Sequence, residues 1–172
     1  MNVYLAGPID LVDDKGKGWR DELIELCKGH HTVLLYSPQT PFSFSRATPD
    51  ISKFIHDVNM EALNRCDAIV ARLMRNQASV GTPIEIYEAV TKLRKPTVVV
   101  TDMADSVYMQ YIGIYGHLVK DINEAYGMIL KLDKKHEDHK ARFAEGGNGS
   151  ANLKIPAHVL SERAEATLKR EV

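Results

Sequence analysis

A glutamate in the first turn of a helix, directly behind a strand, is the residue of this chain best placed for covalent chemistry. Asp67-Ala-Ile-Val-Ala71 reads as an apolar strand, and Ser79 to Ala89 (SVGTPIEIYEA) turns through Gly81 into a helix. Thr82 sits where an N-cap belongs and Pro83 at the first helical position. Glu85 then falls at the carboxyl end of a strand, where open α/β sheets bind their ligands. A carboxylate there can attack, or exchange protons with, a molecule held in the crevice. The same residues, Thr82 to Glu85, also spell a capping box, in which Glu85 only bonds back to the Thr82 amide. Both readings stand on these residues alone.

Other groups with chemical potential cluster around this one in the sequence pattern. The chain opens with an apolar strand, Asn2–Ala6, that runs straight into Gly7-Pro8-Ile9, so this turn belongs to the same sheet edge. Between the two segments lies a helical pattern, Ile51–Arg65, with Ile55, Ala62, Leu63 and Cys66 on its buried stripe. Asn59 falls on that stripe, and an amide there must find partners, in the protein or in a ligand. Asp57 carries the nearest carboxylate, but its neighbours Glu61 and Asn64 mark a solvent face, so exposed surface competes with any acid–base role. Ser79 and the amides after Gly81 suit an anion at a helix N-terminus; a plain turn serine and a plain turn glycine are the alternatives.

The elements that must position these residues alternate regularly. Strands are expected at Asn2–Ala6, Thr32–Tyr36, Asp67–Leu73 and Pro96–Thr101, with a short one at His117–Val119. Helices fit between them at Gly18–Lys28, Ile51–Arg65, Pro83–Arg94 and Asp121–Phe143. Apolar runs without alternation are the mark of parallel strands covered on both faces. The pattern therefore predicts an α/β fold, a doubly wound (Rossmann-like) parallel sheet of about five strands flanked by helices. Two long connections, Asp10 to Lys17 and Ser37 to Asp50, leave carboxyl ends of strands and are expected to wall the site. The α/β domain is expected over residues 1–143. Residues 144–172 read as a linker, GGNGSAN, and an amphipathic tail.

Composition narrows the partners. The chain has 172 residues, 44% of them hydrophobic and 26% charged, with a formal net charge of −1. Scattered Lys and Arg give no footprint for nucleic acid, so a small molecule or another protein is the expected partner. No apolar run reaches membrane-spanning length and no leader pattern is visible, which predicts a cytoplasmic protein. Cys27 and Cys66 read as buried free thiols. His136 and His139, in the run KKHEDHK, read as a solvated face rather than metal ligands, and no metal or organic cofactor is expected.

YLAGPI near the N-terminus, a DAIVA strand, and SxGTxxE after it resemble the nucleoside 2-deoxyribosyltransferase family over roughly Met1 to Val119. The likeness is greatest to the branch that hydrolyses nucleoside 5′-monophosphates. The resemblance implies that Glu85 is a nucleophile forming a covalent glycosyl-enzyme. It further implies that Tyr4, Gly7, Pro8, Ile9, Ser79, Gly81 and Thr82 contact substrate. The position of Asn59 commonly carries an Asp in the family, an amide being unable to act as acid or base. Asp57 is the remaining carboxylate for that role. Ser at position 79, where members acting on free nucleosides tend to have a carboxylate, points to a phosphorylated substrate. Tyr87 departs from the family's usual Gly. A homodimer or larger assembly is implied, with Asp105–Gly113 at the interface and Ser106 reaching the neighbour's phosphate, although a plain core helix explains Tyr108, Met109 and Ile112 as well. Base exchange by a deoxyribosyltransferase is the alternative activity, and a nucleotide-binding module without catalysis the alternative class.

Overall fold

Val, Leu, Ile and Ala fill both faces of the strands predicted at Asn2–Ala6, Asp67–Leu73 and Pro96–Thr101, and the structure buries both faces of these three. The computed structural model describes residues 1–9, 12–38 and 49–145. In chain order these form β1 (Asn2–Ala6), α1 (Lys17–Cys27), β2 (Leu34–Tyr36), α2 (Pro49–Arg65), β3 (Ala68–Arg72) and α3 (Gly81–Tyr87). A π-helical turn (Glu88–Lys92) continues α3, followed by β4 (Thr97–Val100), α4 (Val107–Tyr115), β5 (His117–Val119) and α5 (Ile122–Glu145). The five strands pair in the order β2-β1-β3-β4-β5, every pair parallel. This is the doubly wound sheet expected from the sequence.

Alternate residues of each strand feed two cores. Val3, Leu5, Ala68, Val70, Val98 and Val100 pack with Trp19 and Leu23 of α1 and with Ala125 and Ile129 of α5. Tyr4, Ala6, Ile69, Ala71 and Val99 pack with Leu63 of α2, Ile86 of α3, and Met109 and Ile112 of α4. Cys27 and Cys66 are buried free thiols, their ionisation pushed up by burial.

Most element boundaries shift by a residue or two from expectation, some of them for visible local reasons. The strand expected from Thr32 begins at Leu34, because the Val33 amide bonds back to the His30 carbonyl in a turn (3.1 Å). The helix expected from Pro83 begins at Gly81. Its far end widens, the Leu93 amide reaching the Glu88 carbonyl (3.0 Å), and stops at Arg94 in a left-handed conformation (φ 51°). Within Asp105–Gly113, where the sequence leaves an interface and a plain core helix both open, α4 begins at Val107 and places Met109 and Ile112, both fully buried, in its own chain's core.

The chain divides into two compact units, Met1–Glu137 and Asp138–Val172. Residues 39–48 of the expected wall, Asp10 and Leu11 of the other wall, and the chain beyond Glu145 lie outside the described residues. No helix among the described residues is long and apolar enough to cross a membrane.

Candidate active site

In this strand order the chain winds one way from β1 to β2 and the other from β1 to β3. The crevice at the carboxyl ends of β1 and β3 is therefore the topological switch point. Gly7-Pro8-Ile9 leaves β1 there, and α3 begins there after β3. Tyr4, on β1, is fully buried and stacks on Tyr36 of the neighbouring strand (centroids 5.6 Å apart). Its hydroxyl donates to Glu85 Oε1 at 2.6 Å, joining residues 81 apart in sequence.

That bond takes the Glu85 side chain away from the capping role. A capping carboxylate would face the helix start, whereas Glu85 is 7% exposed and turned onto β1. Thr82 is not the N-cap either: it is a buried residue inside the helix, and the flanking position is Val80, which makes no side-chain cap. Ser79 fills that gap, its Oγ accepting from the Thr82 amide (3.3 Å) and donating to Thr82 Oγ1 (2.7 Å). The hydroxyl of Ser79 is thus partly engaged in starting the helix that carries Glu85.

Burial pushes the Glu85 carboxyl above its ordinary value, and the Tyr4 hydrogen bond, the Arg20 guanidinium and His56 pull it back down. The Tyr4 phenol is driven far above its usual range, first by burial and then by the Glu85 charge. Tyr4 therefore stays a proton donor to the carboxylate.

Arg20 went unread in the sequence. It is fully buried, and its Nη1 donates to the Gly16 carbonyl (2.7 Å) while Nη2 donates to the Leu5 (3.3 Å) and Gly7 (2.9 Å) carbonyls. It reaches from α1 to clamp the carboxyl end of β1. Burial lowers its ionisation to about 10, with Glu85 and Tyr4 opposing the shift, so it remains charged at neutral pH as the buried counter-charge to Glu85. A signal existed: Arg20 stands three residues before Leu23 and seven before Cys27, on the stripe that α1 buries.

Two glycines make this clamp possible. A Cβ on Gly7 would lie 2.8 Å from the Trp19 ring, and one on Gly16 would strike the Pro8 carbonyl (2.2 Å) and Arg20 Nη1 (2.3 Å). Gly16 also takes a left-handed backbone (φ 68°). Pro8 is buried and Ile9 half-buried behind this turn. Gly81 has open space around its Cα.

On α2, Asn59 is half-buried and its Oδ1, shielded from solvent, has no donor among the described residues. Asp57 is turned away: it is exposed and paired with Lys53 on the outer face of α2. Ser106 is the N-cap of α4, accepting from the Met109 amide (3.2 Å). Tyr87 is 48% exposed. Away from this edge, Asp133, His136 and Glu137 bring three possible ligand atoms within 4.8 Å. Asp133 is already engaged by the N-terminal ammonium (3.3 Å) and the Thr32 hydroxyl (2.5 Å). His136 is half-buried near Asp67 (3.7 Å), so it is less solvated than its charged run suggests.

A family model, nucleoside 2-deoxyribosyltransferase, matches residues 3–143. The chain belongs to the nucleoside 2-deoxyribosyltransferase family. Its fold is similar to that of a conserved protein from Enterococcus faecalis V583 (TM-score 0.61, 21% identity), covering 76% of this chain and 98% of that one. It is also similar to a 2-deoxyribosyltransferase from the psychrotolerant bacterium Bacillus psychrosaccharolyticus (TM-score 0.57, 18% identity), covering 73% and 90%. No curated protein sequence matches the chain. As a deoxyribosyltransferase-family member it is an α/β protein of an enzymatic, nucleoside-processing family.

Proposed function

We propose that the protein cleaves the N-glycosidic bond of a nucleoside 5′-monophosphate, releasing free base and (deoxy)ribose 5-phosphate. The observation that carries this reading is the buried Glu85 carboxylate, held by the Tyr4 hydroxyl at the switch point of the sheet. The ionised carboxylate attacks the anomeric carbon from the face opposite the base, and water then opens the glycosyl ester, as in retaining glycosidases. Tyr4 fixes one carboxylate oxygen and leaves the other to attack. Asn59 Oδ1, lacking a donor, suits a sugar hydroxyl. The same intermediate, opened by a second base, would make the enzyme a transferase. Incubation with a panel of nucleosides and monophosphates, with and without added free base, tests the reading. Free base released without an acceptor is expected; products only when a second base is present would make it a deoxyribosyltransferase, and no turnover with either would leave a binding module.

Ser79 motivates the preference for monophosphates. Ser79→Asp keeps a cap acceptor for the Thr82 amide and adds a negative charge beside the proposed phosphate. We expect the monophosphate KM to rise tenfold or more, with nucleoside turnover changed by no more than about threefold. Equal losses on both substrates would remove the phosphate from this position.

Self-association is part of the proposal. Ile84 and Tyr87 on α3, and Val107, Tyr111, Ile114 and Tyr115 on α4, are exposed, and the Tyr108 hydroxyl ties the helices together through the Pro83 carbonyl (2.9 Å). An apolar surface on the helix bearing Glu85 suits a two-fold interface that brings two sites together. Light scattering should give at least twice the 19.3 kDa chain mass, and Ile114→Glu should reduce it to the monomer. A fully active 19.3 kDa particle would exclude a shared site.

A further inference from the structure

Departure of a nucleobase needs a proton as well as a nucleophile, and the groups around Glu85 narrow its source. The Tyr4 proton is committed to Glu85 and its phenol held far above the usual range. The Arg20 donors are spent on carbonyls. An amide such as Asn59 neither gives nor takes a proton at ordinary pH, and Asp57 is turned to solvent beside Lys53.

Among the described residues of α2, one titratable group remains on the stripe that faces Tyr4 and Ile86. In an all-parallel sheet the helix joining β2 to β3 runs against the strands, so α2 starts at the carboxyl edge and ends at the amino edge. Leu63, fully buried against Tyr4 and Ile86, defines its inward stripe. Asn59 and His56 continue that stripe at four and seven residues earlier, towards the carboxyl edge. His56 is exposed, as a group overlooking an open crevice must be, and its charge is felt by the Glu85 carboxyl.

We propose that His56 is the proton donor to the leaving base and the proton acceptor from the attacking water. This rests on the glycosidase reading above. In the first step a Glu85 oxygen bonds to the anomeric carbon as the carbon–nitrogen bond breaks. The electron pair goes to the base, and the imidazolium N–H proton passes to a base ring nitrogen. In the second, water bonds to the anomeric carbon, its proton goes to the neutral imidazole, and the ester electron pair returns to Glu85. Imidazole suits both halves because its ring nitrogen can give a proton to the base and then take one back from water.

The test compares two leaving groups in His56→Gln, an exposed substitution that leaves the core intact. One substrate is a purine nucleoside 5′-monophosphate, whose base leaves with a proton. The other is the corresponding 4-nitrophenyl β-glycoside 5-phosphate, whose phenolate needs none. With the nucleotide, kcat should fall by about 10²–10⁴, the usual worth of a general acid. Pre-steady-state nitrophenolate release should fall by less than about tenfold. Equal losses on both substrates, or a nucleotide rate within about threefold of wild type, would overturn the assignment. Glu85→Gln is the control: it should abolish release of both leaving groups, and if it abolishes neither, the covalent reading fails and the proposal with it.

Discussion

Glu85→Gln is expected to lose base release by four or more orders of magnitude while folding normally. The amide matches the carboxylate in size and still accepts the Tyr4 hydrogen bond, but it cannot form the glycosyl ester. Removing a true nucleophile costs losses of this order, whereas removing a mere cap would cost about 1 kcal/mol of stability and little rate. A variant retaining a tenth of wild-type turnover would rule out covalent catalysis by this residue. Stability supplies a second readout with a definite sign. Burial raises the Glu85 carboxyl above its ordinary value, so the native state binds this proton more tightly than the unfolded chain. Wild-type stability therefore falls as pH rises from the ordinary carboxyl value to the raised one, and the deficit persists above it. Gln at this position does not titrate. The difference in Tm between variant and wild type should move in favour of Glu85→Gln between pH 4 and pH 8, and a shift in the opposite direction would contradict the burial argument.

Arg20→Met should produce the largest loss of stability in this chain. The side chain is fully buried, and its removal leaves the Leu5, Gly7 and Gly16 carbonyls without their donor and Glu85 without its buried counter-charge. Breaking such an arrangement from one side costs roughly 3–5 kcal/mol, a large part of the 5–15 kcal/mol typical of a domain. At about 2–4 °C per kcal/mol for a chain of this size, Tm should drop by roughly 6–20 °C. Arg20→Lys keeps the charge but not the fork, and should fall between. A Tm within 2 °C of wild type for the Met variant would mean that the clamp is dispensable.

The difference between these two residues shows what the sequence makes legible. The strands are readable because parallel strands covered on both faces must be apolar throughout, and β1 and β5 coincide with their predicted bounds. Glu85 is readable as a candidate because its spacing from β3 is local. Its partner is not, since nothing near Tyr4 or Glu85 in the chain announces a bond across 81 positions. The capping-box pattern misled for the same reason: Thr82 and Glu85 satisfy it locally, but a buried phenol competes for the carboxylate and Ser79 supplies the cap. Arg20 was legible in principle as a charge on a buried stripe. Asn59 was legible as an amide on the helix's buried stripe, whereas the candidacy of His56 needed the direction of α2 relative to the sheet, which only the fold provides.

The packing of Trp19 against Gly7 has a practical consequence. Trp19 is the chain's only tryptophan, 7% exposed, with the Arg20 guanidinium 4.7 Å above its ring. Its indole N–H has no acceptor among the described residues. The protein's tryptophan emission, selectively excited at the red edge of the absorption, thus comes from a single indole pressed on the turn that leaves β1. Any ligand that shifts this turn changes the surroundings of that ring, so occupancy can be followed by light in the Glu85→Gln protein, where turnover does not consume what is being titrated.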